Sequence, residues 1–136
     1  LGLHAPKEKI LEIQRFLPAS GQGALGIEYA ENRKDIAELL AFMNHEQTRA
    51  CVSAERAFLA SLEGGCQTPI AANAVMLEDG SLRLDGLVAD LTGQRIIRKQ
   101  RCAPAAEAES LGRSLAEEVK NSGGAEILKE LYSSDS

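Results

Sequence analysis

Two turn signals divide residues 69–101 into three apolar runs, and this pattern constrains the fold more than any other feature of the sequence. The turn dipeptides are Asp79-Gly80 and Thr92-Gly93. Asp-Gly between apolar runs is a strong hairpin signal because both residues tolerate positive φ. We therefore predict three strands joined by sequential hairpins. Gly86 in the middle strand predicts either a bulge or a close approach to the backbone.

Helical patterns flank the predicted sheet on both sides. One covers residues 46–62, a second runs from Pro104 to about residue 121, and a third follows Gly123-Gly124. The apolar face of a three-stranded sheet needs helices over it. We predict an α+β domain over residues 46–136, with a three-stranded antiparallel sheet covered by three helices. The apolar helix stripes comprise Cys51, Val52, Phe58, Leu59, Leu62, Leu111, Leu115, Val119, Ile127, Leu128 and Leu131.

The sequence before residue 46 has a different pattern. The run ALGIEY (24–29) alternates enough to predict a short strand, and Asn32 is a candidate cap for a helix over about 33–43. Residues 1–23 end in LPASGQG, where proline and glycine exclude a helix and favour a crossing segment. One strand and one helix cannot close a sheet, so this region is expected to belong to a neighbouring domain.

Composition and charge exclude several classes of function. A net charge of −5 argues against a nucleic-acid partner, because phosphate binding needs clustered Lys and Arg. No apolar run approaches about 18 residues and no basic-then-apolar segment opens the chain, so neither a membrane span nor a secretory signal is expected. Three widely spaced cysteines are typical of the reducing cytoplasm. The first residue is Leu1 rather than Met, and we expect a fragment or a processed piece.

Two further motifs have ordinary interpretations. The basic cluster near residue 98 is interpreted as a solvated strand face, since edge strands are often protected by charge. Its members are Arg95, Arg98, Lys99 and Arg101. The glycines of Gly21-x-Gly23-x-x-Gly26 have dinucleotide-fingerprint spacing, but that fingerprint needs a strand before it and a helix after it. We interpret these glycines as a tight interdomain turn.

The acidic residues of the predicted helix over 46–62 are expected on its solvated face. They are Glu46 and Glu55, with Glu63 directly after its end, and a pair such as Glu46–Arg49 is an ordinary salt bridge on a helix surface. No two carboxylates stand out as an acid/base couple. His4 and His45 lie far apart and no CxxC pair occurs, so we predict no metal site.

The three cysteines have different surroundings. Cys51 lies in a helix stripe and is expected to be a small core hydrophobe, and Cys102 is expected to be structural. Cys66 lies off any stripe, after two glycines, in LEGGCQTP (62–69). Its position after a helix C-terminus disfavours a thiolate. From the residues alone, Cys66 could be a packing sulfur, a metal ligand, a redox thiol or a covalent attachment point.

Two motifs carry a resemblance to a known family: LPASGQGALGIE (17–28) and AERAFLASLEGGCQTPI (54–70). With the predicted element order, they make the chain similar to porphobilinogen deaminases, also called hydroxymethylbilane synthases. The resemblance covers essentially the whole chain and implies the C-terminal part of a three-domain enzyme. It implies that residues 1–23 end domain 2 and cross over. Residues 24–45 then return as a strand and helix of domain 1, a periplasmic-binding-protein-like α/β domain, and residues 46–136 form the cofactor-attachment domain.

The resemblance also implies roles for particular residues. In the family, the cysteine of the GGC loop holds a dipyrromethane cofactor through a thioether, and the matching residues are Gly64, Gly65 and Cys66. The enzyme then adds four porphobilinogen units with loss of ammonia, and hydrolysis releases a linear tetrapyrrole. Cys66 would thus be an anchor rather than a turnover nucleophile. Gln22 matches a position that lines the pyrrole cleft and is a candidate substrate-binding residue.

The resemblance implies that other parts of the enzyme lie outside these residues. The family's catalytic aspartate belongs to the N-terminal part, so we predict no catalytic residue here and a chain that is inactive alone. The expected partners are that N-terminal part, porphobilinogen and the growing pyrrole chain, with no nucleic acid or membrane, and the parent enzyme is expected to be monomeric. Ala30 stands where relatives usually carry arginine, so it receives no substrate role.

Two alternatives remain open at this stage. The chain could be a stand-alone α+β binding or interaction module in which Cys66 is structural, or a nicked enzyme whose N-terminal half stays bound. The region 24–45 separates the first alternative from the enzyme. As part of the enzyme it should expose apolar surface when alone, whereas a self-sufficient module should bury that surface.

Overall fold

The computed structural model describes residues 10–62 and 69–134, and the predicted element order after residue 45 is confirmed. The strands are β1 (Ile70–Met76), β2 (Ser81–Ala89) and β3 (Ile96–Pro104). The helices are α1 (Lys34–Leu40), α2 (Glu46–Ser61), α3 (Ala108–Val119) and α4 (Ala125–Ser134). Short 3₁₀ turns follow α1 at Ala41–Met43 and precede α3 at Ala105–Glu107.

The three strands form one antiparallel sheet in the order β1-β2-β3, as predicted. In the first turn the Asp79 carboxylate accepts hydrogen bonds from the N–H and the hydroxyl of Ser81, and Gly80 has a φ of 78°. In the second turn the Asp90 carboxylate accepts hydrogen bonds in a similar way, and Gly93 has a φ of 70°. Both turns therefore follow from chemistry local to the sequence.

The helices bury one face of the sheet in a single apolar core. Helices α2 and α3 pack against each other and against the strands, and α4 adds two buried side chains. The largest fully buried side chains are Phe58, Leu62, Leu82, Leu84, Val88, Leu111, Leu115 and Val119. The predicted stripes supply five of these eight side chains, whereas Val52 and Leu59 of the α2 stripe are only partly buried.

Gly86 on β2 lies against the ring of Phe58. A Cβ added at Gly86 would be 2.5 Å from Cζ of that ring. The pairing of Gly86 with Ala72 on β1 and with Lys99 on β3 is continuous, so the strand has no bulge here. Of the two sequence-based explanations for Gly86, the close approach is confirmed.

Gly112 allows α3 to approach the backbone of α2. A Cβ built at Gly112 would meet the carbonyl oxygen of Ala54, and it would lie 2.7 Å from Cβ of Ala57 and 2.8 Å from the nitrogen of Phe58. Two of these three neighbours are backbone atoms, which cannot turn aside as a side chain can. The spacing between α2 and α3 therefore depends on glycine at this position.

The basic cluster lies along an edge strand of the sheet, as predicted, with Arg98, Lys99 and Arg101 on β3 and Arg95 directly before it. Arg98 forms an ion pair with Asp85 at 3.1 Å, and Arg95 forms ion pairs with Asp90 and Glu130.

The structural role predicted for Cys102 is wrong in one respect. That residue lies within β3 and is exposed, because its pairing with Arg83 places it on the face of the sheet that the helices do not cover.

Two local predictions for the N-terminal region are wrong. Residues 24–29 do not form a strand, because a strand needs a hydrogen-bonded neighbour and the described residues offer none there. The N-cap of α1 is Arg33 rather than Asn32, and it makes no side-chain capping hydrogen bond. Helix α1 itself spans seven residues, fewer than predicted, and continues only as the 3₁₀ turn.

The described residues from 10 to 45 include no buried side chain. Leu25 is fully exposed and Phe42 is 83% exposed. Exposed apolar side chains concentrated in one segment usually mark a surface that another element covers. Exposed apolar surface in this region was expected, and the assignment of the region to a neighbouring domain stays a prediction.

Candidate functional site

The segment assigned to cofactor attachment lies outside the described residues, but both of its ends are anchored. It contains Gly64, Gly65 and Cys66. On one side, Leu62 at the C-terminus of α2 is 1% exposed. On the other side, the Pro69 carbonyl accepts a hydrogen bond of 2.9 Å from the N–H of Ala89. Residues 63–68 therefore connect two points that the core holds in place.

Gln22 lies on an exposed turn that is stabilised by its own side chain. Its Oε1 accepts a hydrogen bond of 3.1 Å from the N–H of Ala19, and its own N–H donates to the Ala19 carbonyl at 3.0 Å. Gly21 and Gly23 on either side have φ values of 72° and 84°, which favour glycine. These glycines form a turn, as predicted, and in residues 10–33 neither a strand precedes them nor a helix directly follows them.

Glu55 is a functional candidate that the sequence analysis missed. Its side chain was expected on the solvated face of α2, yet the residue is 7% exposed. Oε2 accepts a hydrogen bond of 2.7 Å from the N–H of Gly21, and Oε1 accepts one of 2.7 Å from the N–H of Ala74 on β1. One carboxylate thus joins α2, β1 and the turn that carries Gln22.

The prediction that Glu46 pairs with Arg49 on the surface is confirmed.

Cys51 packs against the core as predicted. Burial raises the pKa of the Cys51 thiol above its ordinary value, and the Glu55 carboxylate adds to this rise. A raised pKa and partial burial make the thiol a poor nucleophile.

Within residues 10–62 and 69–134, no group of three His, Cys, Asp or Glu side chains could hold a metal ion.

We expect an alkylating reagent to modify Cys102 several-fold faster than Cys51 in the native protein. Cys102 is exposed on β3, whereas the Cys51 thiol is partly buried and its pKa is raised. Peptide mass spectrometry after short exposures to the reagent measures the two rates. Cys102→Ser should remove only the fast site. Equal rates at the two cysteines would contradict the packing of Cys51 against the core.

An open groove of about 940 Å³ separates the segment 21–29 from the N-terminal half of α2. Its lining is partly apolar, with Leu25 and Ile27 on one side, and Arg49 and Arg56 of α2 contribute charge on the other. Both apolar side chains are at least half exposed. The groove therefore leaves one side of the Gly21–Gly23 turn uncovered.

None of the helices in the described part of the chain is long and apolar enough to cross a membrane.

The chain matches a family model described as "Porphobilinogen deaminase, C-terminal domain" over residues 49–121. Curated relatives carry the name porphobilinogen deaminase. The protein from Nitratidesulfovibrio vulgaris strain DP4 is 54% identical over 134 residues, which are 98% of this chain and 42% of that protein. The protein from Synechococcus elongatus is 49% identical over 116 residues, which are 85% of this chain and 36% of that protein.

A third relative, from Lawsonia intracellularis, is 42% identical over 97% of this chain and 43% of its own length. The chain thus spans less than half the length of the curated relatives it matches. The family model begins at residue 49, close to the start of α2, and ends just after α3. The matched region therefore contains the whole three-stranded sheet and the two helices that cover it. With these matches, the chain belongs to the porphobilinogen deaminase family and corresponds to the C-terminal part of its members.

Proposed function

We propose that this chain is the cofactor-bearing C-terminal part of a porphobilinogen deaminase. The whole enzyme would join four porphobilinogen units into the linear tetrapyrrole hydroxymethylbilane in heme biosynthesis, releasing ammonia, and would act in the cytoplasm. The observation that carries the proposal is the Gly-Gly-Cys motif ending at Cys66, in a chain 54% identical to a named porphobilinogen deaminase. The 136-residue chain is inactive without the N-terminal part.

The chemistry of Cys66 suits a thioether to dipyrromethane. A thiol is a soft nucleophile, and the thioether sulfur is neutral, so the preceding helix C-terminus does not oppose the product. The bond forms between Sγ and the aminomethyl carbon of a porphobilinogen unit, and ammonia leaves as the thiol proton is lost. When bound, dipyrromethane supplies the pyrrole end to which substrate units are added.

Gln22 is proposed to contact the substrate or the growing pyrrole chain. The porphobilinogen side chains end in carboxylates, which accept hydrogen bonds. Because Oε1 of Gln22 already accepts a hydrogen bond from Ala19, the Nε2 amide is the group that would donate to such a carboxylate. The exposed position of the turn supports this role.

The N-terminal part of the enzyme is the proposed partner of residues 10–45. This region exposes Leu25, Phe42 and Leu39, and it borders the groove beside α2. The stand-alone module would bury such side chains, so their exposure counts against that alternative. The parent enzyme is proposed to be a monomer.

We expect the intact mass of the denatured protein to test the attachment directly. When the chain is produced together with the N-terminal part of the enzyme, its mass should increase by two deaminated porphobilinogen units. The increase should map to the peptide that contains Cys66. A protein that is bare under these conditions, or one modified at Cys51 or Cys102, would contradict the proposal.

The activity is tested in a chimera in which the N-terminal part of the Nitratidesulfovibrio vulgaris relative precedes this chain. We expect the chimera to form hydroxymethylbilane from porphobilinogen, and we expect the 136-residue chain alone to form none. The N-terminal part alone is the matched control. A folded chimera that carries no adduct and forms no product would overturn the proposed function.

A further inference from the structure

Glu55 joins three parts of the chain that are distant in sequence. Its two carboxylate oxygens accept one main-chain N–H each, from Gly21 and from Ala74, both at 2.7 Å. The partners lie 34 residues before it and 19 residues after it. Because the residue is 7% exposed, this carboxylate acts at a site largely shielded from water.

The two hydrogen bonds explain how a carboxylate can be buried here. A buried charge is costly unless hydrogen bonds compensate it, and hydrogen bonds to a charged acceptor are stronger than neutral ones. Among the residues that the structure describes, no basic side chain forms an ion pair with Glu55. Ala74 lies on β1, an edge strand on which alternate N–H groups have no neighbouring strand to bind. Glu55 therefore satisfies a sheet-edge donor and holds the Gly21 turn with the same group.

Both elements that Glu55 connects flank the segment with Cys66. Helix α2, which carries Glu55, ends at Ser61, and β1, which receives one of the hydrogen bonds, begins at Ile70. The other hydrogen bond fixes Gly21, the neighbour of Gln22. We propose that Glu55 is a positioning residue that fixes the Gln22 turn relative to the elements bearing the cofactor-attachment segment.

This inference rests on the proposed function, and it assigns Glu55 a role in substrate binding rather than in bond making. A fixed turn keeps the Gln22 amide at a constant position while the substrate binds. Loss of that constraint raises KM, because the turn must be ordered when the substrate arrives. The attachment of the cofactor at Cys66 is left intact.

The test uses Glu55→Gln, which preserves size but leaves a single carbonyl acceptor. The amide group would face one of the two N–H donors, so one hydrogen bond is lost. We expect the carbonyl to keep the buried Ala74 donor and the amide group to face the partly buried Gly21 donor, because the buried donor is the costlier one to leave unpaired. We expect the Gly21 amide of the variant chain to exchange with solvent about tenfold faster, the change expected for loss of one hydrogen bond to a charged group. In the chimera, KM for porphobilinogen should rise several-fold while kcat and the cofactor mass are nearly unchanged.

The matched control is Glu46→Gln on the same helix. Glu46 is an exposed carboxylate paired with Arg49, so the control removes a charge without touching the Gly21 turn. It should leave the Gly21 amide exchange and KM unchanged. Glu55→Asp, which keeps the charge but shortens the side chain, serves as the second variant if Glu55→Gln does not fold.

The outcomes separate this inference from the proposed function. If the unmodified chimera forms no product, the proposed function fails, and the amide exchange in the 136-residue chain still tests the contact between Glu55 and Gly21. If the chimera is active, and Glu55→Gln leaves both the Gly21 exchange and KM at control values, the positioning role is wrong. A loss of kcat together with cofactor loss, at unchanged KM, would also overturn it.

Discussion

Replacement of Cys66 by serine is expected to remove the covalent cofactor completely and, with it, the activity of the chimera. A serine hydroxyl is almost entirely protonated at neutral pH and is a far weaker nucleophile than a thiol, so the bond to the first porphobilinogen unit does not form. The measurement is the intact mass of the denatured protein, followed by an assay for hydroxymethylbilane. The adduct should be absent from the whole population.

The fold should survive this substitution. Leu62, which precedes the segment, is buried in the core, and Pro69, which follows it, is bound to β2, so both anchors lie outside the GGC motif. We expect the free energy of unfolding to change by no more than about 0.5 kcal/mol, because the substitution leaves both anchors unchanged. Cys102→Ser is the matched control and should keep both adduct and activity. A Cys66→Ser protein that still carries a thioether-linked adduct would refute the assignment.

Among the glycines that the structure describes, Gly112 is the one at which replacement by alanine is expected to give the largest loss of stability. The new Cβ would meet the Ala54 carbonyl oxygen and would lie 2.8 Å from the nitrogen of Phe58, so helices α2 and α3 must move apart. Helix propensity alone would favour alanine by about 1 kcal/mol. Overpacking costs about 3 kcal/mol and outweighs this gain, so we expect a net loss of about 2 kcal/mol in the free energy of unfolding.

Chemical denaturation of the 136-residue chain measures this loss. The matched control is Gly26→Ala, because a Cβ at Gly26 meets no atom within 4 Å and the residue does not have a positive φ. The control should change the free energy of unfolding by no more than about 0.5 kcal/mol. A Gly112→Ala chain as stable as the control would mean that α2 and α3 do not approach as closely as the structure indicates.

The hairpins show what short-range chemistry can specify. Asp79-Gly80 and Thr92-Gly93 predict two turns because the glycines accept positive φ and the aspartates bind neighbouring N–H groups. Both turns form where they were predicted, and the order of strands follows from them. The helix stripes were predicted for the same reason, since spacing along the chain determines which side chains share a face.

The residues before α2 show what spacing along the chain does not predict. ALGIEY has the alternation of a strand, but a strand forms only against a neighbour, and none of the described residues pairs with it. The same limit applies to Cys102, because the side of β3 that it occupies depends on the register with β2. In the candidate site, the roles of Cys66 and Gln22 came from the resemblance alone, and they remain predictions.

Local chemistry in the sequence by itself determined the turns, the helix faces and the α+β order, because these depend on residues a few positions apart. Only the tertiary structure decided the roles of Glu55 and Gly112. Glu55 lies among Arg and Glu residues that resemble a solvated helix face, and its two acceptors meet donors 34 and 19 residues away. Gly112 resembles a weak position in a helix until α2 lies against it. In both cases the deciding neighbours come together only when the chain folds, so no local pattern could indicate them.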